Sequence, residues 1–472
     1  MEISKMTQRK LIISLILLFC IAAIPAYSQH NRVQDGSRYL EELNERDFEA
    51  LRQYLKSKRE EEEKKGAKIP VLLSGDVRFE YRNLHEKEEG HRLRGGRHAN
   101  KCIAGHRIGL PISNNDFDVE ANLRLDYKGK CSWAVVHIQY DNSAGVDDGD
   151  IDCPFDPIGY HGSGICDDLC LKKAFWGMHL YEDGCERFDI ELGRRNLYNL
   201  FDSRVQFLSR FDGVALKYNN CWDCLGDFYW YAAGFVVDER VNHFAWITEV
   251  GLLNIAKAGF DIKYSIIDWQ KFGRNRCHAC NPQGFKFLNS QVTLGYNFKP
   301  EFLGVKARAF GAFVYNHKGQ RMHYINFHPK NKVCRTASDA IVSKGCHEKT
   351  PKHLHKKTAH DQNKAWYVGV LLGEVRKRGD WSFEARYEWV QAFSIPDNDL
   401  SGIGRGNTLD DQITAVGARG NTNYKGWKFE GLYAITDELS VDTIFEYSQQ
   451  LNKTIGGTHH YSKLEVETIF AF

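Results

Sequence analysis

Two Cys-x-x-Cys pairs, Cys221-Trp222-Asp223-Cys224 and Cys277-His278-Ala279-Cys280, are the residues of this 472-residue chain best spaced for chemistry. Together they would suit a four-cysteine zinc site, and singly a thiol–disulfide exchange centre. A third use competes with both. The chain holds 13 cysteines, and once Cys20 is set aside with the leader the rest form an even set, which in an exported protein points to disulfides. Which cysteine bonds to which cannot be read from spacing.

Other reactive side chains are weaker candidates. His347, His353, His355 and His360 fall in residues 318–363, where ten Lys/Arg against three Asp/Glu would repel a metal cation and attract anionic solutes or lipopolysaccharide phosphates. The acidic run Asp147-Asp148-Gly149-Asp150-Ile151-Asp152 lacks the spacing and terminal Glu of an EF-hand loop. Gly162-Ser163-Gly164 lacks the strand-to-helix setting of a nucleophile elbow. The expectation is therefore a protein with no catalytic residues, no metal and no cofactor.

The elements that position these residues begin with a leader. Lys5, Arg9 and Lys10 precede an apolar run from Leu11 to Ile24 and the small-residue end Pro25-Ala26-Tyr27-Ser28, which predicts a signal peptide over 1–28. Phe19 is too bulky to precede a lipoprotein Cys20, and the run falls short of the roughly 20 apolar residues of a spanning helix. Residues 29–70 read as a periplasmic amphipathic helix and linker: Leu40, Leu43, Phe48, Leu51 and Leu55 recur at helical spacing before the charge run Glu60 to Lys65 and Gly66. This stripe suits a short coiled coil between copies, the barrel rim, or a solvated leader. It is too short for the folded plug of an energised outer-membrane transporter.

From Val71 the period changes to two. Ser74, Asp76, Arg78, Glu80 and Arg82 alternate with Gly75, Val77, Phe79 and Tyr81, and Ser382, Glu384, Arg386 and Glu388 alternate with Trp381, Phe383, Ala385, Tyr387 and Trp389. Sixteen such segments run from 71–84 to 460–472. The gaps alternate too: 128–130, 182–185, 220–225, 299–304 and 436–437 are short, whereas 85–117, 142–168, 269–285, 318–363 and 395–423 are long. Short turns on one side, long loops on the other and an even strand count are the outer-membrane pattern. Thirteen per cent aromatic residues and only ten prolines fit many long strands, and Lys+Arg 63 against Asp+Glu 61 argues against a nucleic-acid binder. The fold expected is all-β, a transmembrane antiparallel β-barrel of about 16 strands over 71–472 with a short N-terminal amphipathic helix, in the bacterial outer membrane.

That topology sorts the cysteines. Cys131, Cys185, Cys221 and Cys224 fall on the short-turn side and Cys102, Cys153, Cys166, Cys170, Cys277, Cys280, Cys334 and Cys346 among the long loops, an even set on each side. The two Cys-x-x-Cys pairs then lie across the membrane from each other, which argues against a shared zinc ion.

The leader-helix motif Asn44-Glu45-Arg46-Asp47-Phe48-Glu49-Ala50-Leu51, the opening strand Ser74-Gly75-Asp76-Val77-Arg78 and the following Gly90-His91-Arg92-Leu93-Arg94-Gly95 resemble the cysteine-containing outer-membrane porins of chlamydia-like bacteria. The aromatic end Phe470-Ala471-Phe472 resembles the signature by which barrel-assembly machinery recognises its clients. The resemblance implies passive diffusion of small hydrophilic solutes or ions through a lipid-embedded barrel, in an envelope stiffened by disulfides, with a homotrimer and disulfide-linked envelope proteins as partners. It supplies no catalytic residues. A disulfide-cross-linked structural or adhesive barrel is the alternative, and an outer-membrane enzyme the remoter one.

In such a barrel the polar faces line the lumen: Asp76, Arg78, Glu80, Arg124, Asp126, Asp189, Glu191, Lys306, Arg308, Glu384, Arg386, Lys428, Glu430, Glu465 and Glu467. The segment 196–211 is unusually apolar for an outer loop and resembles, in position, the loop that folds inward to form the constriction of trimeric general porins. Asp202, Arg204 and Arg210 are the expected eyelet charges, with Arg78, Glu80 and Arg386 on the wall.

Overall fold

The computed structural model describes residues 71–88, 91–94, 115–143, 168–222, 225–238, 243–269, 287–298, 304–318, 322–325, 356–359, 362–396, 399–404, 422–453 and 458–472. The expected signal peptide, amphipathic helix, Cys277/Cys280 pair, histidine set, acidic run and Gly162-Ser163-Gly164 lie outside the described residues.

Nineteen strands are described: β1 (Val71–Glu88), β2 (His91–Arg94), β3 (Asn115–Lys128), β4 (Ser132–Ser143), β5 (Asp168–Asp183), β6 (Glu186–Asn196), β7 (Arg210–Trp222), β8 (Gly226–Asp238), β9 (His243–Ile255), β10 (Phe260–Trp269), β11 (Phe287–Asn297), β12 (Ala307–Asn316), β13 (Met322–Ile325), β14 (Lys356–Ala359), β15 (Lys364–Gly373), β16 (Trp381–Val390), β17 (Tyr424–Ala434), β18 (Leu439–Gln450) and β19 (His459–Ala471). Sixteen of them pair antiparallel with their sequence neighbours into one closed ring. The remaining three are short: β2 folds back on the end of β1, and β13 pairs with β14 within residues 318–363. All sixteen segments expected from alternation are present, and the three short strands are the ones alternation missed. A four-residue strand is too brief to show a period.

Closure is made by β1, which pairs with β3 from Val71↔Tyr127 to Asn83↔Asn115 and with β19 from Asp76↔Ala471 to Glu88↔His459. The backbones of Gly75 and Phe472 exchange two hydrogen bonds of 2.9 Å, so the terminal residue completes the seam. Gly75 is required there, since a Cβ would sit 2.5 Å from the Asn122 carbonyl oxygen and 2.7 Å from the Phe472 ring. Closing the sheet removes every edge, the only way a β-structure can satisfy its backbone in lipid.

The two faces of the ring are inverted relative to a water-soluble protein. Outward side chains are large, apolar and exposed, as with Val77, Phe79, Leu123, Ile262, Leu294, Val368, Phe445 and Leu464, while Asp76, Arg78, Asp126, Asp189, Glu384, Arg386, Lys428, Glu465 and Glu467 are buried inside. On β3 the outward row runs from Phe117 to Tyr127 through Val119, Leu123 and Leu125. Its ten residue steps make about 34 Å of strand, and at a tilt of about 40° that is a belt roughly 26 Å tall. The belt matches the thickness of an outer-membrane hydrocarbon layer, with an aromatic ring at each end.

Lys306 departs from expectation. It precedes β12, its side chain is 56% exposed, and it pairs with Glu374 at the turn end, so it lies at the rim, just beyond the strand.

Candidate functional site

The segment between β6 and β7 turns into the barrel. A short 3-10 turn (Leu197–Asn199) starts it, with the Leu200 and Phe201 amides donating to the Leu197 carbonyl. Leu197, Leu200, Phe201 and Phe207 are buried against Phe211, Ala215, Ala233, Phe235, Ala245, Ile247, Ile267, Trp269 and Phe287, which line the inner faces of β7 to β11. These inward positions are apolar or small because the loop covers them. The alanines leave room for the loop's larger rings, and burial of each such ring stabilises docking by about 1.5–3 kcal/mol.

A second inward segment follows β16. Val205 packs with Ile395, Leu400, Ile403, Tyr367 and Tyr424 in a separate apolar cluster. The two segments are latched by Asp399, fully buried, whose carboxylate oxygens accept from the Phe207 amide at 3.0 Å and the Ser209 amide at 3.1 Å. The Ser401 amide donates to the Val205 carbonyl and the Ser401 hydroxyl to the Gln206 carbonyl.

Burial pushes the Asp399 carboxyl up to about 7, against the two backbone amides, which favour the charged form. A solvated aspartate titrates near 4. Docking therefore takes up a proton, strengthens as the pH falls from about 7 toward 4, and is weakest above 7. Amide exchange at Phe207 and Ser209, corrected for intrinsic chemistry, is expected to show more protection at pH 5 than at pH 8. Asp399→Asn should flatten that dependence, and an unchanged slope in the variant would show that another group controls docking.

The tip of the first loop carries the charges. Asp202 Oδ2 lies 2.8 Å from Lys263 Nζ on β10, the Asp202 amide donates to Glu249 on β9, and Gln291 of β11 donates to the Asp202 carbonyl at 2.6 Å. Tyr229 of β8 donates to the other Glu249 oxygen at 2.8 Å. Two residues on, the Arg204 guanidinium lies 2.9 Å from Glu384 on β16 and over the Phe310 ring of β12 at 5.4 Å. Glu384 in turn meets Arg386 at 2.7 Å, and Arg386 meets Glu388 at 2.6 Å. The loop thus spans the lumen from β9 to β16.

Of the six residues singled out from sequence, the fold brings Arg204 and Arg386 together, with Glu384 between them, and sets Asp202 against Lys263 on the other side of the lumen. Arg78 and Glu80 lie on β1, eight strands around the ring from β10 in either direction, and so face the loop tip from the opposite wall. Arg78 pairs there with Asp76 at 2.7 Å and Glu467 at 3.4 Å, while Glu80 pairs with Arg82, which also reaches Asp118 at 2.6 Å. Arg210 is placed differently. Consecutive strand residues face opposite sides, and Phe211 is buried in the lumen, so the exposed Arg210 points away at the rim, 4.0 Å from the Cys170 sulfur.

Exposure separates charges that can meet a solute from those that stiffen the wall. Asp202 is 32% exposed, Arg204 17% and Lys263 15%, whereas Arg78 is 3% and Arg386 2% exposed. Beneath the loop lies a cavity of about 360 Å³, lined by Phe201, Asp202, Tyr229, Glu249 and Lys263 at its roof and by Cys185 and Cys221 toward the short-turn mouth. Lys263 and Glu249 were absent from the sequence candidates. Their signal was present, since Asp261, Lys263 and Ser265 alternate with Phe260, Ile262 and Tyr264, but only the loop contact singles them out.

No protein-family model and no curated relative matches the chain. Among solved structures it is similar to OprB of Pseudomonas putida, determined at high pH, at 11% identity and a TM-score of 0.47 over 85% of this chain and 94% of that one. It is also similar to OmpF of Salmonella typhi in complex with daunomycin, at 13% identity and 0.44 over 85% and 97%. A triple-mutant porin of Rhodopseudomonas blastica matches at 8% identity and 0.39 over 85% and 100%.

Proposed function

We propose that this protein is an outer-membrane diffusion channel for small hydrophilic solutes, narrowed by the loop between β6 and β7. The observation that carries the reading is the inversion of the barrel: a charged interior around a cavity, inside an exterior of exposed Leu, Val, Ile and Phe. A barrel of 16 strands is wide enough to leave an aqueous path, and the charges on that path sort solutes by size and local field. Asp202, Lys263 and Arg204 are the gate charges under this reading; Arg78, Glu80 and Arg386 hold the wall. Location in a bacterial outer membrane, a trimeric assembly and disulfide-linked envelope neighbours belong to the same proposal.

A structural platform is the second reading, favoured by the two apolar clusters that the inward segments form inside the barrel. Single-channel recording of the folded mature chain in a planar bilayer separates the two. Stepwise, salt-dependent openings support the channel, and intact insertion without current supports the platform.

The gate assignment makes its own prediction. Lys263→Glu changes the local charge by two units, which at about 8 Å in water is about 1 kcal/mol for a passing monovalent ion. The cation is favoured and the anion disfavoured by that amount, so the cation-over-anion permeability ratio should rise roughly thirtyfold without screening and about fivefold at about 0.1 M salt, where a Debye length of about 10 Å roughly halves each energy; the reversal potential reads it. An unchanged reversal potential would remove Lys263 from the ion path.

A further inference from the structure

The short-turn mouth of the cavity holds two cysteines whose relation the sequence left open. Strands β6 and β7 pair in register from Arg187↔Asn219 to Asn196↔Arg210. The last pair lies two residues short of both cysteines, and the same register continued would set Cys185 opposite Cys221. Glu186, next to Cys185, is still held against β7 by its side chain, which accepts from the Tyr218 hydroxyl at 3.0 Å. Cys185 closes the two-residue turn between Asp183 and Glu186, where Gly184 takes the required positive φ of 63°. Cys221 shares the inward parity of Lys217 and Asn219 on β7, and Cys185, in the turn, lines the same cavity; both are exposed, and they are not bonded to each other in this structure.

Residues directly opposite across an antiparallel pair have Cα atoms about 4.5–5.5 Å apart. Disulfides span Cα separations of about 4.4–6.8 Å. Other described cysteines are out of reach of Cys185. The Cys131 carbonyl accepts from the His179 amide, six residues up β5 and about 20 Å of strand away, and Cys170 lies near the far end of β5.

We infer that Cys185 and Cys221 form an intramolecular disulfide that staples the β5–β6 turn to the end of β7 at the mouth of the cavity. The two thiols lose two protons and two electrons as the S–S bond forms. A disulfide-bearing oxidant, such as a periplasmic dithiol oxidase or oxidised glutathione, accepts them by exchange as its own S–S bond is cleaved to two thiols. The bond fixes the floor of the cavity and removes both cysteines from the pool available for cross-links between chains.

The test uses the folded mature chain, oxidised with oxidised glutathione, blocked with N-ethylmaleimide and digested with trypsin without reduction. Mass spectrometry should find the peptide 174–187 joined to the peptide 218–240. Because the second peptide also contains Cys224, the variant Cys224→Ser should retain the link and Cys221→Ser should lose it completely. In Cys185→Ser, Cys221 should take up maleimide after the same treatment. Maleimide on both Cys185 and Cys221 of the oxidised protein would overturn the assignment. So would a link that vanishes in Cys224→Ser, or one that joins Cys185 to a third cysteine.

Discussion

Arg386→Met is expected to destabilise the barrel by about 3–5 kcal/mol, the cost of breaking a buried ion pair by removing one partner. Arg386 is 2% exposed and joins Glu384 and Glu388 along β16. Methionine fills similar space but leaves two carboxylates in a site that water scarcely reaches. Residual partners place the loss toward the lower end of the range: Arg204 still meets Glu384, and the Tyr424 hydroxyl and Ile403 amide still donate to Glu388. Denaturant titration in lipid vesicles, followed by tryptophan fluorescence, measures the change. Adding Glu384→Gln and Glu388→Gln to the methionine variant should recover most of the loss, because the buried charge is then gone. A loss below about 1 kcal/mol would mean that water solvates these carboxylates freely, so that Arg386 faces the open channel instead of a packed wall.

Leu123→Arg should be nearly as damaging for the opposite reason. Leu123 is 44% exposed on the outer face of β3, between Phe117 and Tyr127 at the two ends of the belt. On a water-facing surface such a change is worth no more than about 0.5 kcal/mol. At the midplane of a bilayer it costs about 2–4 kcal/mol, falling toward zero near the interfaces. The same substitution at Phe117 should therefore cost markedly less than at Leu123. Equal and negligible losses at both positions, measured in vesicles, would show that the apolar face does not meet lipid.

The barrel was legible in the chain because its inversion leaves alternation intact. Asp76, Arg78 and Glu80 against Val77 and Phe79 carry the same period-two signal whether the apolar side faces a core or a membrane. Loop lengths then chose between those cases, since short turns on one side and long loops on the other suit a barrel inserted from the periplasm. Strand ends were less visible, as β7 runs on to Trp222, through residues read as turn. The paired β13 and β14 left no period to detect.

The candidate site was legible only in part. The apolar content of 197–208 marked a loop that avoids water, and it does fold inward. Asp202 and Arg204 come with it because they sit at its tip. Arg210 does not, because β7 begins at that residue and strand parity turns it outward. Sequence alone also gave no hint that the segment after β16 enters the lumen, or that Asp399 ties it to the first loop. Those contacts join residues 190 and 192 positions apart.

Local periodicity thus determined the elements, their number and which face of each is polar, because those properties repeat every two residues along one strand. Only the closed structure decided what stands across the lumen: Lys263 beside Asp202, Glu384 between Arg204 and Arg386, and Cys185 and Cys221 on one cavity. Such partners depend on register and ring closure, which are set by hydrogen bonding between distant strands and leave no trace in the spacing of residues along the chain.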